Sequence, residues 1–197
     1  MLNWGADLTR LFEMRAARLG GQVMGAAGAE SLGWVLQEDE ACRGDRAKRL
    51  EWVTTLLPPD GTLLFPGGLL SHFLFEETRY CFIYGQFLAA AILGCALVER
   101  LLAARLYGSG DDAMERARIA TLLDQAKERS WLTESELQAL DRARRLRNAL
   151  AHFRAPGHED GIEWRAADSG ASPYDVLEGD AREVVAAAVT LLIRSAV

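Results

Sequence analysis

The chain has 197 residues, half of them apolar, enough to bury a full core in one domain or in one domain with an extension. Its net charge of −6 argues against a broad surface that coats nucleic acid, for which a basic domain is expected, and leaves room for a local basic pocket. Cys42, Cys81 and Cys95 show no C-x-x-C or Cys/His ligand spacing, so they imply neither a disulfide framework nor a zinc site and fit a reducing cytoplasm.

Residues 1–78 read as a helical extension without a functional assignment. The first residues lack the cationic-then-apolar start of a signal peptide. Apolar spacing from Leu8 through Leu11 and Phe12 to Leu19 predicts an amphipathic helix ending at Gly20-Gly21. A second helix is expected over about 29–37. A third, over about 45–57, is stopped by the turn chemistry of Pro58-Pro59-Asp60-Gly61. Phe65-Pro66-Gly67-Gly68 makes another break.

A helical domain is expected over 79–197, since no segment sustains alternation with β-branched residues. The fold class is all-α, with at most a short hairpin at 161–167. From Tyr80 to Val98 the chain carries Gln86 as its one strongly polar side chain, a run that meets the lower length limit for a membrane span. Its alanines, glycines and cysteines lower the hydrophobicity, and it continues through Glu99 and Arg100 into Leu101, Leu102 and Leu106. One helix of about 28 residues at the centre of a bundle is therefore preferred, with no membrane. Gly85, Ala89, Gly94 and Ala96 are read as small residues that permit close helix packing.

Thr133-Glu134-Ser135-Glu136 has the form of a capping box and starts a helix near Thr133. That helix runs through Leu137, Leu140, Ala143, Leu146 and Leu150 and ends by Arg154, since Pro156-Gly157 cannot continue it. At roughly 100° per residue, Arg147 falls in the middle of the apolar arc, while Asn148 and His152 lie at its polar edge. A guanidinium stays charged and is rarely buried without a partner, so Arg147 must meet a carboxylate, helix-end carbonyls or a phosphate. Glu99 is the acid expected to face it. Asp180-Ala181-Arg182-Glu183 is read as the cap of a closing helix.

The run Arg147-Asn148-Ala149-Leu150-Ala151-His152, on a helix in an all-helical context, resembles the R-N-x-x-x-H form of the HEPN (higher eukaryotes and prokaryotes nucleotide-binding) superfamily signature. The resemblance covers roughly residues 79–197. It implies a helical bundle that dimerises with the motif helices of two protomers face to face. It also implies a metal-independent ribonuclease of the kind found in toxin–antitoxin, abortive-infection and CRISPR systems, with an antitoxin or defence protein as partner. Arg147 and His152 take the catalytic role and Asn148 supports them. Members paired with a nucleotidyltransferase antitoxin often carry Tyr two residues after the histidine. This chain has Arg154 there, which argues against regulation by modification of that tyrosine. Inactive members serve as nucleotide-binding, RNA-binding or dimerisation modules, and the same residues suit that role.

The residue types supply a mechanism. RNA carries its own nucleophile, the 2′-OH. A histidine exchanging protons near neutral pH and an arginine forked onto the nonbridging oxygens assist its attack on phosphorus without a metal or other cofactor. Arg142, Arg144, Arg145, Arg147 and Arg154 concentrate positive charge against Asp141 alone over 141–154. In this reading Arg144 supports the catalytic pair and Arg145 and Arg154 bind substrate. His158, Glu159 and Asp160 are adjacent on a loop and point apart, so they are not expected to hold a metal. His72, among Phe73, Leu74 and Phe75, is expected to be an interior or interface histidine.

Overall fold

The computed structural model describes residues 26–59, 62–111, 117–155 and 157–195. These form seven helices: α1 (Ala26–Leu56), α2 (Leu69–Ile83), α3 (Phe87–Gly108), α4 (Ile119–Glu128), α5 (Glu134–Ala151), α6 (Ile162–Ser169) and α7 (Pro173–Arg194). No strand occurs among the described residues, so the all-α expectation holds. The helix expected at 8–19 lies outside them. Position 78, the expected edge of the extension, falls inside α2.

The two helices expected at 29–37 and 45–57 are one helix, α1. Local charge pairing carries it through the polar middle, where Arg43 meets Glu40 at 2.6 Å and Arg46 meets Asp39 at 2.7 Å. Gly44 remains helical there, at a propensity cost of about 1 kcal/mol. The end of α1 just before Pro58-Pro59 agrees with the turn reading.

The long apolar helix expected from Tyr80 is two helices. Gly85 takes a left-handed φ of +76°, and the Gln86 N–H donates to the Cys81 carbonyl at 2.8 Å while the Gly85 N–H donates to Phe82 at 3.1 Å. That pair of bonds is the Schellman ending, so Gly85 stops α2 rather than helping it pack. A side chain there would also be obstructed, since a Cβ would lie 2.6 Å from the Tyr174 hydroxyl and 3.2 Å from an Arg49 nitrogen.

Gly94 does what the small-residue reading expected. A Cβ at Gly94 would sit 2.7 Å from Val184 Cγ1, so α3 and α7 approach as closely as they do because nothing is there. Gly94→Leu is expected to destabilise the fold by about 1–3 kcal/mol through overpacking. An unchanged midpoint in urea unfolding would contradict this packing.

With α2 and α7 on two sides and α4 and α5 against it as well, α3 is the central helix. Leu97, Val98, Leu101 and Leu106 on α3 are fully buried, and burial of each such side chain contributes about 1.5–3 kcal/mol. A helix surrounded in this way is apolar nearly all round. By length and composition α3 is also long and apolar enough to cross a membrane. Leu88 and Ile92, on its outer side, remain exposed.

Two other expectations are corrected. The segment at 161–167 is the helix α6, bounded by Gly161 and by Gly170 at φ +68°, and not a hairpin. The closing helix starts at Pro173, not near Asp180. Ser172 caps it, accepting from the Asp175 N–H at 3.1 Å while the Asp175 carboxylate accepts from the Ser172 N–H at 3.3 Å, and Pro173 takes the first helical position. Asp180 instead lies buried about two turns farther on and accepts both ends of the Arg165 guanidinium, at 2.8 and 2.5 Å.

Candidate functional site

The motif helix α5 begins where the sequence indicates. Thr133 Oγ1 accepts from the Glu136 N–H at 3.3 Å, and Glu136 Oε2 accepts from the Thr133 N–H at 2.7 Å. The second of these bonds is the main reason the Glu136 carboxyl is held below the usual range, with help from Arg194 at 2.8 Å.

Burial along α5 fades toward the motif. Leu140 and Ala143 are buried, Leu146 to Leu150 are half-buried, and Ala151, His152 and Phe153 are exposed. Arg147 thus lies on the apolar arc as expected, at the point where that arc emerges from the bundle. His152 is the C-cap, with extended dihedrals of φ −120° and ψ 139°.

Asn148 ties the two expected catalytic residues together through different atoms. Its side-chain Oδ1 accepts from Arg147 Nη1 at 3.3 Å, and its backbone carbonyl accepts from the His152 N–H at 3.1 Å. Asn148 thus reaches Arg147 with its side chain and His152 only through the main-chain bond at the helix end.

Glu99 and Arg147 act in opposite directions on the buried Cys95 thiol, Arg147 lowering it and Glu99 raising it. They form no ion pair, so the expected meeting of Glu99 with the motif arginine is not found among the described residues. Cys95 donates to the Ala143 carbonyl at 3.4 Å, joining α3 to the motif helix. Burial pushes its thiol up to about 12, with Arg147 opposing and Glu99 adding to the rise. Burial, reinforced by Glu77, also raises Cys81, whereas Cys42 is exposed. A thiol reagent at pH 8 is expected to modify Cys42 rapidly in the native protein and Cys81 and Cys95 only on unfolding. Three equal rates would contradict this core.

The basic cluster divides into two parts. Arg142 pairs with Glu183 at 3.3 Å, and Arg144 and Arg145 share Asp141 at 2.8 and 3.4 Å. These three line a groove of about 520 Å³ between α4 and α5 that also holds Asp124 and Glu134, so its charge is mixed. A second groove of about 290 Å³, between α5 and α7, is floored by Leu132, Leu140 and Leu191. Neither groove is lined by Arg147 or His152.

Arg147 and Arg154 have no carboxylate partner among the described residues, and the half-buried Arg154 keeps its Nε sealed from solvent without an acceptor. The expected substrate contacts Arg145 and Arg154 therefore differ, one neutralised and one not. The carbonyl end of α5 carries roughly half a negative charge, which two guanidinium groups outweigh. Phe153 lies between His152 and Arg154 and is 88% exposed, a feature sequence reasoning passed over because it continued the helix toward Arg154.

His158 Nδ1 accepts from the Asp160 N–H at 3.1 Å and stands 3.8 Å from its carboxylate. Among the described residues no three metal-ligating side chains converge. His72 is half-buried and meets the Phe65 ring edge-on at 5.0 Å.

No family model, curated protein or solved structure matches this chain.

Proposed function

We propose that the chain is a HEPN-like endoribonuclease that cleaves RNA by attack of the 2′-OH on the adjacent phosphorus, without a metal. One observation carries this reading: the arginines left unneutralised in the basic cluster, Arg147 and Arg154, stand before and after the exposed His152 along the chain at the end of the motif helix. Elsewhere on α5 each arginine is held by a carboxylate. An anion is the partner that this pair lacks, and a phosphodiester supplies one.

His152 takes the proton from the 2′-OH or returns one to the departing 5′-oxygen. Arg147, oriented by Asn148, forks onto the nonbridging oxygens as charge grows on phosphorus. Arg144 stays with Asp141 and supports the helix end electrostatically. The 2′-oxygen bonds to phosphorus as the bond to the 5′-oxygen breaks, so the products are a 2′,3′-cyclic phosphate and a 5′-hydroxyl.

Leu88 and Ile92 on α3 leave an exposed apolar strip, and α5 also emerges from the bundle toward its end at Ala151. A second copy covering these surfaces would bring two motif helices together and turn an open site into a cleft. A place in the cytoplasm among toxin or phage-defence systems, with an antitoxin or defence protein as partner, follows from the motif resemblance alone.

The test is the substrate itself. Wild-type protein is expected to cut a single-stranded RNA to cyclic-phosphate ends and to leave the DNA of the same sequence intact. A chain that binds such RNA over hours without cutting it would be the inactive, RNA-binding form of the same fold.

A further inference from the structure

Phe153 is the most exposed large apolar side chain among the described residues, and it stands between the proposed proton-transfer histidine and an arginine without a carboxylate. Other exposed aromatic rings, such as Trp34 at 64% and Tyr174 at 51%, keep more of their surface covered. A phenyl ring held in water just past the helix that carries Arg147, and next in the chain to Arg154, lacks a flat apolar partner, and the two arginines lack an anion. A nucleotide has both parts: a base with a π-face and a phosphate.

The backbone presents the parts in a suitable order. His152 is extended, so the chain leaves the helix at this point and carries Phe153 and Arg154 beyond its last turn. Arg154 turns toward the body and is half-buried, while Phe153 stands out in solvent. A strand crossing this ridge can lay a phosphate toward Arg147 and Arg154 and turn the neighbouring base onto the ring. Only an unpaired base can do so, because a base within a duplex keeps both faces stacked.

We propose that Phe153 is a stacking platform for one base of single-stranded RNA next to the phosphate held by Arg147 and Arg154, an inference that rests on the ribonuclease reading above. It makes the substrate class single-stranded RNA and makes Phe153 a binding residue rather than a packing residue.

The test uses the full chain and a 2′-O-methyl RNA oligonucleotide, which cannot be cut, carrying 2-aminopurine at successive positions. Wild type and Phe153→Trp are expected to bind the single strand with similar affinity and to quench the 2-aminopurine at one position. Phe153→Ala and Phe153→Leu are expected to bind about tenfold or more weakly and to lose that quenching, because leucine is apolar but has no π-face. Affinity for the duplex form should be unaffected by all three substitutions.

Equal affinity and equal quenching for wild type and Phe153→Ala, with Arg147→Ala still weakened, would overturn the stacking role and leave the ribonuclease reading intact. Failure of wild type to bind the single strand would remove both. A lower molar mass for Phe153→Ala in light scattering would assign the ring to a contact between two copies and overturn the proposal.

Discussion

Asp180→Ala is expected to lower the stability of the protein by about 3 kcal/mol, the low end of the cost of removing one partner of a buried ion pair. Asp180 is buried and holds both arms of Arg165, whose Nε is itself sealed without an acceptor. The alanine variant would leave that guanidinium unpaired where water reaches it poorly. A guanidinium is not deprotonated at any working pH, so shedding the proton gives no relief. For a chain of this size the loss corresponds to a melting temperature lower by roughly 6–12 °C. Arg165→Met with Asp180→Leu, which removes both charges, should recover most of it. A loss below about 1 kcal/mol for Asp180→Ala would mean that the pair is open to solvent.

The pair matters to the site as well as to the fold. Arg165 is on α6 and Asp180 on α7, and α6 begins ten residues after His152. Fixing α6 to α7 therefore anchors the far end of the segment that carries His152, Phe153 and Arg154.

How much of this could be read from sequence depended on whether a signal was local. The Thr133–Glu136 cap and the stop at Pro58-Pro59 each need only a few adjacent residues, and both were found where expected. Asp180-Ala181-Arg182-Glu183 shows the limit of such patterns, since an acid followed three residues later by a glutamate looks the same in the middle of a helix. Ser172-Pro173-Tyr174-Asp175 was the stronger start signal, with both a capping box and proline at the first helical position.

Gly85 was misread because composition distinguishes poorly between a glycine that lets helices approach and one that ends a helix with a positive φ. Gly94, in the same run, is the first kind. The helix α6 was missed because eight residues between two glycines are too few to establish a period. At the site, the position of Arg147 on the apolar arc was legible. Its neighbours' pairing was not, because the distribution of Asp141 and Glu183 among the arginines depends on how α5 meets α7 and on side-chain reach.

The larger effect is expected at the motif. General acid–base assistance contributes about 10²–10⁴-fold, so His152→Ala should lower single-turnover RNA cleavage by that factor. Its side chain is exposed, so the fold should be undisturbed. Arg147 is half-buried, and Arg147→Ala risks loosening the end of α5. Arg147→Lys is the cleaner probe, because it keeps the charge and removes the fork that Asn148 orients. It should lower cleavage by about 10²-fold or more, in the range of losing one preorganised donor to the developing charge.

The most direct test of the ribonuclease reading is single-turnover cleavage of one RNA by wild type, His152→Ala and Arg147→Lys at matched folded concentration, with unfolding midpoints measured on the same samples. The account predicts cyclic-phosphate products from wild type and losses of at least about 10²-fold in both variants, with midpoints near that of wild type. Undiminished cleavage by His152→Ala would contradict it.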